Sequence, residues 1–197
     1  SLIFPFALPN LGQWIRKARA AGHEVLITVP MEPEVVKQID HGPNTLMTSL
    51  TAPENIKRLE RTLVFATGYI GVTSTRRSGF ITIRRHVEPV LAALRDRGLM
   101  IFDTSSNSVI PKVASDIGLP WVVSQTVIDV KPGYEAITAK LTKLEDQARR
   151  IGAAIAVGSP YPVTVEALGQ WLGSLKGGDV TSVPVSALTT VTRQDRP

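Results

Sequence analysis

The chain has 197 residues, a formal net charge of +5 and no cysteine, with 43% hydrophobic and 20% charged residues. A globular chain of this size buries roughly 70% of its extended surface, and the lack of cysteine excludes disulfides, thiolate zinc sites and cysteine nucleophiles while leaving the compartment open. No stretch approaches the roughly 20 apolar residues that span a bilayer, and no like-charge run or low-complexity tract points to a disordered tail.

The first residues, SLIFPFALPN, lack the charged start and the length of a signal peptide. They read as a core strand over residues 2–8, so the chain is expected to begin inside a fold whose N-terminal strand is missing. Asn10 stands where an N-cap belongs, before Leu11, Trp14, Ile15 and Ala18 at helical spacing, and Gly22 marks the helix end. A branched strand over 24–29 stops at Pro30, and a long loop containing Pro30-Met31-Glu32-Pro33 and Asp40-His41-Gly42-Pro43-Asn44 follows. Pro53 opens the second helix, striped by Ile56, Leu59 and Leu63.

Residues 68–79, GYIGVTSTRRSG, join a short apolar strand to a polar turn with two adjacent arginines. The next helix carries Val87, Val90, Leu91 and Leu94 on one face, and the strand Leu99-Met100-Ile101-Phe102 leads directly into Asp103. After a short helix ending at Gly118, the pattern gives a strand over 121–128, a long helix over 134–151 and a fully apolar strand over 153–157. A helix with Leu168, Trp171, Leu172 and Leu175 and a last strand over 180–185 complete the series.

Strands that are apolar on consecutive residues and alternate with helices call for a parallel sheet covered on both faces. Seven strands, six helices and short turns favour an α/β fold closed into a distorted β/α barrel, read as one domain over 1–197, over an open nucleotide-binding sheet. No G-x-G-x-x-G follows the first strand. Residues just past the strand ends are then expected on one rim, namely Glu32, Thr73, Ser74, Thr75, Asp103, Asp129, Ser159 and Ser186.

No nucleophile elbow, P-loop or H-E-x-x-H is present. His23 and His86 have ordinary surface roles beside a helix end and on an arginine-rich helix, which leaves His41 as the histidine placed to meet a ligand. Asp103 and Glu32 are the candidate catalytic acids. For Asp103 an Asx-turn with the serine-rich loop is the structural alternative, and for Glu32 a tie within its loop. Thr73, Ser74, Thr75, Arg76, His41 and Ser159 are candidate substrate-binding residues, because hydroxyls bond sugars and arginine meets carboxylate or phosphate. Arg76, Arg77, Arg84, Arg85, Arg95 and Arg97 face only Glu88 and Asp96 over 76–97, yet Phe80 is the one aromatic there, so no nucleic-acid partner is expected.

The ordered segments Gly22-His23-Glu24-Val25-Leu26, Pro30-Met31-Glu32-Pro33, Gly42-Pro43-Asn44-Thr45-Leu46, Gly68-Tyr69-Ile70-Gly71-Val72, Arg97-Gly98-Leu99 through Asp103, Ala154-Ile155-Ala156-Val157-Gly158 and Val183-Pro184-Val185-Ser186 resemble the divergent polysaccharide deacetylase family. The resemblance implies a distorted β/α barrel, a location at the bacterial periplasm or envelope, and an N-terminal strand bearing an acidic pair. It also implies a divalent metal held by Asp and His that polarises an acetamide and activates water. The family pattern has histidines at about Thr75 and at Ser159, and neutral hydroxyls are poor zinc ligands. No metal ligand is therefore assigned in this chain, and a zinc-like cofactor is expected only if a missing N-terminal segment completes the site.

The expectation is an envelope protein that recognises a glycan or peptidoglycan fragment with deacetylase activity reduced or lost. An active metal-dependent N-deacetylase and an interaction module docking an acidic envelope partner on the arginine-rich face are the alternatives.

Overall fold

The computed structural model of the chain describes residues 1–34, 41–74, 77–124 and 126–189. The described residues fall into two compact units, those within 1–123 together with 184–189, and those within 124–183. The first holds β1 (Leu2–Phe4), α1 (Leu11–Ala20), β2 (Val25–Thr28), α2 (Ala52–Leu63), β3 (Gly71–Thr73), α3 (Arg84–Arg95), β4 (Met100–Asp103), α4 (Ile110–Ile117) and β5 (Trp121–Val123). Its strands pair in parallel in the order β1-β2-β3-β4-β5, with Leu26 opposite Gly71, Val72 opposite Ile101 and Phe102 opposite Val122.

Consecutive apolar residues produce this sheet because both of its faces are covered. Val25, Leu26, Ile27, Val72 and Ile101 are at most 1% exposed. Ile15 of α1, Leu59 of α2, Leu91 and Leu94 of α3 and Val113 of α4 join Val25, Ile27, Val72 and Ile101 in one core, and each large side chain so buried contributes about 1.5–3 kcal/mol relative to exposure. β3 and β4 approach so closely that a Cβ on Gly71 would lie 2.4 Å from the Met100 carbonyl oxygen. That contact requires glycine and sets how β3 delivers Thr73 and Ser74 beside the end of β4.

The long loop after β2 is tied to its surroundings in its described part. Leu46 N–H donates to the Pro30 carbonyl (2.9 Å), and Glu32 N–H to that of Leu46 (2.8 Å). The Asn55 side chain, 1% exposed on α2, accepts from Met47 N–H and donates to the Met47 carbonyl, both at 2.9 Å. Arg58 donates to the Thr45 carbonyl at 2.7 Å, and Thr51 and Glu54 form a capping box at the start of α2.

The second unit contains β6 (Thr126–Val127), α5 (Tyr134–Ile151), β7 (Ala156–Val157) and α6 (Pro162–Ser174). β6 and β7 pair in parallel, and Ile128, Ile137, Leu141 and Ala167 form a small core.

Several expectations are corrected. The segment 180–185 is no strand; a 3-10 turn over Val185–Leu188 follows it, and the Ser186 N–H and hydroxyl donate to the Glu24 carboxylate ahead of β2. Pro184 lacks the N–H a ladder needs. The strand over 121–128 is two strands in different sheets, and the one over 153–157 shrinks to two residues. β1 is not a core strand: it pairs with β2 alone, and Leu2 and Ile3 are 37% and 36% exposed. Asn10 occupies the N-cap position of α1 with a left-handed backbone and makes no side-chain cap bond; its carbonyl accepts from Gln13 and Trp14 instead.

Candidate functional site

Asp103 ends β4 and is 0% exposed. Its Oδ1 accepts from the Ser74 hydroxyl (3.2 Å) and from Ser105 N–H (3.0 Å). The second bond is the Asx-turn foreseen as the structural role. Oδ2 is buried and has no hydrogen-bond partner among the described residues. An unmet buried acceptor of this kind costs about 1–3 kcal/mol, more when charged, so it points to a missing donor.

Ser74 therefore faces Asp103 across the β3–β4 pair, as the rim reading requires. Thr73 is 3% exposed, and its hydroxyl reaches the Ser74 carbonyl at 3.4 Å. Glu32, 8% exposed, accepts from Thr48 N–H on Oε2 at 2.6 Å, while its carbonyl accepts from Gly79 N–H (3.0 Å) and the Ser78 hydroxyl (2.6 Å). Its carboxylate thus ties the long loop, and its backbone locks that loop to the turn after β3. His41 is half-buried, and its buried Nε2 has no hydrogen-bond partner among the described residues. Thr75 and Arg76 lie outside the described residues.

Ser186 belongs with the N-terminal end of β2 through Glu24, away from the C-terminal strand ends that carry Ser74 and Asp103. In the second unit, Asp129 is 6% exposed, and its Oδ2 accepts from Ser159 N–H and from the Thr164 hydroxyl (3.1 Å). Ser159 is thereby the main-chain half of a clamp on a buried aspartate. Beside it, a Cβ on Gly158 would sit 3.0 Å from the Ile128 side chain.

Sequence reasoning overlooked Ser78, Ser105 and Asn55. Each is a short polar residue beside a turn or helix start, and the bond it makes depends on which loops the fold brings together.

Three arginines of the 76–97 segment are paired with acids within the fold. Arg84 pairs with Glu88 and Asp116, Arg95 with Asp96, and Arg97 with Glu60. Hydrogen bonds donated to Glu88 and then Asp116 hold the Arg84 guanidinium above its ordinary range, and the Arg84 bond pulls the Asp116 carboxyl down. No helix among the described residues is long and apolar enough to cross a membrane.

A parallel sheet flanked by helices, with an acid at the end of a central strand, defines an α/β protein whose candidate site lies at the strand ends. Residues 3–189 match the divergent polysaccharide deacetylase family, and the chain belongs to it. It is 30% identical over 183 residues to the uncharacterized protein YibQ of Escherichia coli K12, covering 91% of this chain and 56% of that one. An uncharacterized protein of Haemophilus influenzae is 25% identical over 166 residues, covering 81% of this chain and 57% of its own. The chain thus spans little more than half the length of these relatives. The crystal structure of an uncharacterized protein from Agrobacterium tumefaciens C58 superposes with a TM-score of 0.88 at 33% identity, covering 95% of this chain and 77% of that one.

The divalent metal that the family implies does not fit the described donor set. Among the described residues no group of three or more His, Cys, Asp or Glu side chains is placed to hold a metal ion. The side chain bonded to Asp103 is a neutral serine hydroxyl, a poor partner for a zinc-like ion.

Proposed function

We propose that the chain is an envelope protein on a distorted β/α barrel scaffold whose strand-end rim recognises a glycan or peptidoglycan fragment, with metal-dependent deacetylase activity reduced or lost. One observation carries the reading: Asp103 keeps a buried oxygen without a donor, beside a serine hydroxyl rather than a histidine cluster. A carboxylate oxygen in this state accepts a hydroxyl or acetamide N–H strongly, since a charged acceptor roughly doubles a hydrogen bond. The neighbouring hydroxyl both donates and accepts, as sugar recognition demands. Because Oδ2 is sealed from bulk water, the ligand reaches it with a shift of the surrounding loops.

Isothermal titration of the full chain with N-acetylglucosamine tetramer tests the proposal, alongside an acetate-release assay with added zinc or cobalt. Binding that Asp103→Asn weakens about tenfold, without acetate release, is the expected result. Acetate release that needs both added metal and Asp103 would establish the active N-deacetylase instead. No binding to the tetramer or to a peptidoglycan disaccharide would remove glycan recognition.

A further inference from the structure

We propose that Arg77 is a carboxylate receptor on this rim, selecting acidic over neutral glycans; the inference rests on the glycan-binding reading above and names the ligand class within it. Arg77 lies on the turn after β3 and has a left-handed backbone, φ 54°. Among the described residues the only other non-glycine at positive φ is Asn10, a residue type that tolerates this region, whereas arginine is strained there.

Main-chain and Ser78 hydroxyl bonds fix the turn and hold it against the loop after β2. Glu34 N–H donates to the Arg77 carbonyl (2.9 Å), Gly79 N–H and the Ser78 hydroxyl donate to the Glu32 carbonyl (3.0 and 2.6 Å), and Phe80 N–H donates to Ser78 Oγ (3.2 Å). Glycine would meet the same backbone demand without strain. What arginine adds is its side chain, and an observed backbone outlier of this kind directs attention to function.

That side chain is exposed, and among the described residues it has no carboxylate partner, a state it shares with other surface arginines such as Arg85; what sets Arg77 apart is its left-handed backbone. An unpaired, planar, permanently charged guanidinium on a pinned turn is suited to bidentate capture of a carboxylate. Asp103, with its unmet acceptor oxygen, takes donors at the end of the neighbouring strand. The rim so built accepts hydroxyl or amide donors at one point and an anion at another, the chemistry of an N-acetylated sugar that also bears a carboxylate.

The experiment compares N-acetylglucosaminyl-N-acetylmuramic acid with its methyl ester, which keeps the shape and removes the charge. Titrations use the full chain and the variants Arg77→Gly, Arg77→Asn and Arg77→Lys, with thermal unfolding in parallel. Wild type is expected to bind the acid about tenfold tighter than the ester. Arg77→Gly and Arg77→Asn lose that preference with no fall in melting temperature, because both tolerate the left-handed backbone, and Arg77→Lys keeps part of it. If wild type binds and Asp103→Asn weakens binding, but Arg77→Gly keeps the preference for the acid, the receptor role is overturned and glycan recognition stands. If acid and ester bind wild type equally, the receptor role is likewise overturned. If neither the disaccharides nor the neutral tetramer bind, both fall together.

Discussion

Asp103 ends β4 and Asp129 lies two residues past β6, each is nearly inaccessible, and they lie in different units. Their carboxylates are used in opposite ways. Asp129 gathers the Ser159 N–H and the Thr164 hydroxyl on one oxygen and so fastens the turn after β7 to the start of α6. Asp103 satisfies one oxygen with Ser74 and Ser105 and leaves the other without a donor. A carboxylate past a strand end is therefore a candidate on position alone, and the donors around it decide whether it is a fastener or remains available.

The largest expected effect comes from removing the frame behind Asp103. Gly71→Ala puts a methyl 2.4 Å from the Met100 carbonyl oxygen, a backbone atom that cannot step aside. It should cost about 3 kcal/mol or more, or prevent folding, as overpacking against a rigid neighbour does. Urea denaturation followed by circular dichroism measures it, and a near-native midpoint would mean that β3 and β4 can separate without loss.

The comparison is then tested at the aspartates themselves. Asp129→Ala strands two donors and is expected to destabilise by about 2–3 kcal/mol in the same measurement. Asp103→Asn keeps an acceptor for Ser74 and Ser105 and removes a buried charge, so it should change stability by less than about 1 kcal/mol. An Asp103→Asn loss as large as that of Asp129→Ala would make Asp103 a fastener too.

Asp116 supplies the smallest effect and a control. It is an exposed aspartate whose carboxyl is held below the usual range chiefly by its hydrogen bond to Arg84. Its contribution is present above the ordinary carboxylate range and vanishes as pH falls through the lowered value. Melting temperature against pH should show a small wild-type advantage over Asp116→Asn near neutrality that closes in acid. An advantage that grew on acidification would contradict the pairing.

Much of the fold is legible in the residue pattern. The 3.6-residue stripes locate all six helices, with α5 ending where Gly152 follows it, and the apolar runs locate β2, β3 and β4 with Asp103 at its strand end. The failures share a cause, since strand pairing joins residues distant in the chain. Nothing within 121–128 announces that its two ends pair with different sheets, and within 180–185 Pro184, which has no ladder N–H, is the one sign against a strand. The candidate site divides in the same way. Asp103 and Glu32 stand out as acids after strands, yet Glu32 proves to hold a loop through Thr48 while Asp103 keeps a free oxygen.

The ordered segments were enough for the family by resemblance, and local chemistry was enough for the α/β class and for placing Asp103 and Ser74 near strand ends, because periodicity and turn residues act over a few positions. The Ser74–Asp103 bond, the missing donor at Oδ2, the clearance that demands glycine at 71 and the strained backbone under Arg77 arise only when separate loops and strands meet. Each depends on how groups far apart in the chain are placed against one another, which packing sets and residue pattern does not encode.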